Sequence, residues 1–179
     1  MGSPPGAGRR GACGGGGPRT GAILDRMRDD LRAVAVAARC GLIGLDAWPN
    51  VAAHLVGLGH GGAALAELAA VERGTTWSEL EPLVPSALAE LGLPDLPPDE
   101  ALRVALGLVE DPMERWAVLG RVVDVLPVGV GRLEVEISEH AQGCPVCRDL
   151  DDPLVRELLR SRSALDLDSG LRAALTAGL

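Results

Sequence analysis

The chain has 179 residues and a net charge of −8, from 17 basic and 25 acidic side chains; this length fits one domain with tails, and the acidic balance disfavours nucleic acid as a partner. Hydrophobic residues make up 47% but aromatic ones only 2%, three Trp with no Phe or Tyr, so the core must be Leu, Val and Ala, and no aromatic platform exists for stacking bases. Every basic residue is Arg, which removes Schiff-base and P-loop lysine chemistry, and no run of about 18 apolar residues exists to span a membrane.

The first 21 residues are mostly Gly, Pro, Ala and Arg and are expected to form an unstructured tail. Arg9-Arg10 has no apolar stretch behind it, which argues against a secretory or twin-Arg signal. Four Cys without such a signal point to a cytoplasmic protein with reduced thiols. The bias toward residues with G/C-rich codons suggests a high-GC bacterial genome, and Met27 is an alternative start to Met1.

A helical region is expected over 22–127. Leu24, Met27, Leu31, Val34 and Ala38 recur at helical spacing and define a first amphipathic helix ending near Gly41. Asp46 reads as the N-cap of a second, with Pro49 in its first turn and Trp48, Val51, Leu55 and Leu58 as its stripe. Glycines 57, 59, 61 and 62 interrupt it, and Ala64, Leu65, Leu68 and Val71 mark a third. Thr76 and Glu79 form a T-x-x-E capping box before a helix bent at Pro82 and Pro85 that runs to Gly92. A proline-rich connector leads to Leu102, Ala105, Leu106 and Val109. Asp111-Pro112-Met113-Glu114 opens another helix, with Met113, Trp116, Ala117, Gly120 and Val123 as its inner face and Pro127 as its stop. The three Trp, on different helices, are expected to be core anchors.

The C-terminal segment, 128–179, has a different character. Leu133, Val135 and Ile137 alternate with Glu134 and Glu136, which fits a short half-buried strand and also a helix. Asp152-Pro153 begins a helix, and Asp168 or Ser169 a last one. The expected fold is mainly α, a compact bundle of six to eight short helices, with one short strand or hairpin near the C-terminus. Ala-Leu-Ala-Glu-Leu occurs at 64–68 and 87–91, and two copies in an Ala/Leu-rich chain do not make a repeat protein.

Two motifs concentrate chemistry. Gly57-x-Gly59-x-x-Gly62 resembles the dinucleotide-binding fingerprint of Rossmann proteins, in which a strand, a glycine turn and a helix N-terminus cradle a pyrophosphate. The residues before it read as a helix, and the glycines then simply join two helices.

The second is His140-x3-Cys144-x2-Cys147. Two thiolates at this spacing reach one Zn²⁺, and His140, one turn earlier, supplies a third ligand. The segment resembles the H-x3-C-x2-C part of zinc-binding anti-sigma factors, small helical domains that cover a sigma factor. That resemblance implies a structural zinc on His140, Cys144 and Cys147. No Cys or His lies between His60 and His140, so a fourth ligand would come from Cys40, His54 or His60 by folding, or from Glu139 or Asp149. Cys144-Pro-Val-Cys147 also has the C-P-x-C form of glutaredoxin-like proteins, which implies a nucleophilic Cys144 and a resolving Cys147. Two ordinary cysteines in a turn are the plain alternative.

The functional expectation is a non-enzymatic, regulatory or protein-binding helical protein, with one structural zinc at most as its cofactor. A thiol-redox protein is the alternative and a dinucleotide-binding protein the third.

Overall fold

The computed structural model describes residues 18–72, 75–125 and 164–178. Among them are eight α-helices and no strand, the mainly α architecture that the periodicities predict. The alternating run 133–137, the helix start at 152–153 and the motif at 140–147 lie outside the described residues.

Helix α1 spans Pro18–Arg39. It begins inside the stretch expected to be a tail, because Pro18 is pre-organised for a first helical turn. A short 3-10 turn, Leu45–Ala47, leads into α2, Trp48–Gly57. Asp46 therefore sits in the 3-10 turn rather than capping α2, whose N-cap is Ala47 with no side-chain hydrogen bond. Helix α3 spans Ala63–Ala69. The single bent helix expected after Thr76 is two helices, α4 (Trp77–Leu80) and α5 (Leu83–Leu91). Pro82 separates them, since its ring and missing N–H do not fit a helix interior. Gly92 ends α5 with φ 57° and ψ 47°, the left-handed conformation that glycine adopts without steric cost. Helix α6, Pro98–Leu108, and helix α7, Pro112–Val125, each start with a proline in the first turn. Helix α8 spans Ser169–Leu175 and is capped by the Asp168 carboxylate, which accepts from the Gly170 and Leu171 amides at 2.8 and 3.2 Å.

Helix α3 packs between α2 and α5, α6 packs between α1 and α7, and α8 lies on α2 and α1. Helix α6 is the centre. Ala101, Leu102, Val104, Ala105, Leu106 and Leu108 are all buried, more than one face of a helix. Burial on every side but the strip of Asp99 and Arg103 marks a core helix. On α7, Val118, Leu119 and Val122 are buried, while Ala117, expected on the inner face, is exposed and Gly120 half-buried. In that face Gly and Ala could bury little area, so the larger Val and Leu side chains win the core. Trp48 is buried at 7% exposure; the side chains of Trp77, Met113, Trp116 and Val123 lie outside the described ones.

Two arginines tie chain segments together through main-chain carbonyls. Arg172 on α8 donates to the carbonyls of Gly107 and Leu108, at 2.6 and 2.9 Å, and to that of Leu165 at 3.3 Å. It thus satisfies the C-terminal carbonyls that α6 leaves without helical partners. Arg121 on α7 donates to the carbonyls of Gly41 and Gly178, and the Gly178 amide donates to the Leu42 carbonyl at 3.1 Å.

Candidate functional site

The stripe expected on α1 is buried along only half its length. Val34 is fully buried, whereas Met27 and Leu31 are half-buried and Leu24 is 62% exposed. Its neighbour Ile23 is 60% exposed. An amphipathic helix normally lays such a stripe against the core. Here Leu24, Met27 and Leu31 form one wall of an open cleft of about 450 Å³. The other wall is the connector between α5 and α6, including Pro94, Leu96 and Pro97. This size falls in the range of ligand and peptide pockets, and the mixture of aliphatic walls with a few charged groups is typical of them.

Four charged residues line the cleft: Arg28, Arg32, Asp95 and Glu100. Arg32 is committed, donating to Glu100 at 2.7 Å and to Asp29 at 3.2 Å. Asp95 lies 3.5 Å from Arg39. Arg28 is exposed and pairs with no described residue. Sequence reasoning identified the α1 stripe but missed the facing wall. The signal was Pro94-Asp-Leu96-Pro97, a lone leucine between prolines, since a residue preceding proline is held extended and cannot turn away into a helix.

Behind this wall is a buried ion-pair geometry that the sequence reading also missed. Asp30 and His60 have side chains 1% and 4% exposed, with Nε2 3.2 Å from Oδ2. Burial raises the Asp30 carboxyl above its ordinary range, opposed in part by the hydrogen bond and charge of His60 and by Arg26. Asp30 Oδ1, Arg26 Nε and Arg32 Nε are buried without a hydrogen-bond partner among the described residues. The signal was spacing: Asp30 stands three residues from Met27 and four from Val34, so a carboxylate lies on the apolar face.

The three remote residues considered as a fourth zinc ligand are in different settings. Cys40 is 3% exposed at the end of α1, and burial pushes its thiol up to about 11 against the pull of Arg39. A thiol so raised is protonated at neutral pH and a poor ligand or nucleophile. The His60 ring is engaged by Asp30. His54 is the accessible one, 42% exposed, with Nδ1 3.8 Å from Asp168 Oδ1. Among the described residues no three His, Cys, Asp or Glu side chains come together as a metal site. His140, Cys144 and Cys147, with Glu139 and Asp149, lie outside the described residues.

The glycine motif joins two helices. The residues before Gly57 belong to α2, so the strand that a dinucleotide fingerprint needs is replaced by helix. The N-terminus of α3 beyond it is filled by the chain's own carboxylate: Glu90 of α5 accepts from the Ala64 and Leu65 amides at 2.8 and 3.1 Å. A Cβ at Gly62 would collide with that carboxylate, so the glycine serves the approach of Glu90. The two Ala-Leu-Ala-Glu-Leu copies lie on α3 and α5, which pack together, but they use different positions. Leu65 and Leu68 are buried in the first; in the second only Ala87 is, and its Glu90 is the cap. At Thr76 the capping box is half formed: Glu79 accepts from the Thr76 amide at 3.0 Å, which lowers its carboxyl, while the Thr76 hydroxyl bonds the same carboxylate at 2.9 Å.

No helix among the described residues is long and apolar enough to cross a membrane. The chain matches no protein-family model, no curated protein and no solved structure.

Proposed function

We propose that this chain is a non-enzymatic protein-interaction module, which docks a partner on the partly exposed N-terminal half of α1 and the cleft beside it. The observation that carries this is the stripe itself. Leu24, Met27 and Leu31 continue the buried line of Val34, yet Leu24 is exposed, Met27 and Leu31 are only half-buried, and all three line an open cleft among the described residues. A helix face of this kind, aliphatic and rimmed by charge, is a common form of protein-binding surface. The test is a photo-crosslinking residue introduced at Leu24 and, as control, at exposed Glu114 on α7, in cells of the native host. A discrete protein crosslinked from position 24 and not from 114 is expected. Failure to crosslink any protein from position 24 counts against the docking role.

The second component of this proposal is a structural zinc on His140, Cys144 and Cys147, supported by their H-x3-C-x2-C spacing. Metal analysis of purified chain should give about one zinc, lost in Cys144→Ser and Cys147→Ser. Metal-free chain with a Cys144–Cys147 disulfide by intact mass would favour the thiol-redox alternative instead.

A further inference from the structure

We draw no further inference here: the strongest candidate, the partly exposed apolar face of α1 at its cleft with the connector between α5 and α6, belongs to the site already described, its two arginines are balanced by two carboxylates, and nothing in the structure shows what covers it.

Discussion

His60 and Asp30 show how one pair sets the cost of a buried charge. Taking a carboxylate out of water is expensive, and a single good partner offsets only part of that. The raised Asp30 carboxyl reports the remainder. With its folded value above the unfolded one, Asp30 favours the fold most fully in acid, below the unfolded carboxyl range. That contribution is lost as pH rises through the raised value. His60→Ala at neutral pH should cost roughly 3 kcal/mol by urea unfolding, because the carboxylate is left buried without its partner. The deficit should shrink as pH falls and Asp30 takes up its proton; a loss independent of pH would show that packing, not charge, is what His60 supplies. Asp168 has the opposite sign. The Leu171 and Gly170 amides hold its carboxyl below the ordinary range, so its stabilisation is present above the unfolded value and lost as pH falls through the folded one. Asp168→Ala should therefore lower the melting temperature at neutral pH, and Asp168→Asn, which can still accept from an amide, should lower it less.

At the scale of elements, the clearest case is α3, a seven-residue helix too short to stand without help. Glu90 accepts its first amides from the neighbouring helix, a cap supplied across sequence rather than by the residue before the helix. Glu90→Ala should cost about 1 kcal/mol, and Gly62→Ala should cost at least as much by displacing the same carboxylate. Hydrogen exchange at Ala64 and Leu65 would register both. This cap also shows what could be read beforehand. Helix starts at Pro112 and Ser169, the end at Gly92 and the buried positions of α2 and α6 follow from local rules of period and capping, and they were legible. The exposure of Ala117 on α7, the Asp30–His60 pair and the Glu90 cap depend on which faces meet, and no local rule contains that. For the candidate site, one wall was legible as a stripe. That the described residues leave it partly exposed was not, because amphipathicity states that a face is apolar and not what lies against it.

At the scale of the molecule, α6 is buried over most of its circumference and its end is held by Arg172, which reaches three carbonyls from two segments. Arg172→Lys should destabilise nearly as much as Arg172→Ala, by about 2 kcal/mol, because an ammonium cannot copy a planar fork that serves several acceptors. Urea unfolding of the two variants would check this, and a lysine variant equal to the unmutated chain would contradict it. The same economy explains the small share of aromatics. Ala33, Ala37, Ala101 and Ala105 are buried to 1% exposure or less, so α1 and α6 approach closely and Leu and Val suffice to fill the remaining space.

The carboxylate of Glu90 has one more consequence. A group attached to the same chain competes for a binding position at an effective concentration in the millimolar range or above. Any phosphate or carboxylate approaching the Gly57–Gly62 turn from solution would have to displace a tethered rival already in place. The glycine sequence that looks like an invitation to a nucleotide is thus self-quenched. One glutamate, far away in sequence, turns a sequence pattern associated with ligand recognition into a structural joint.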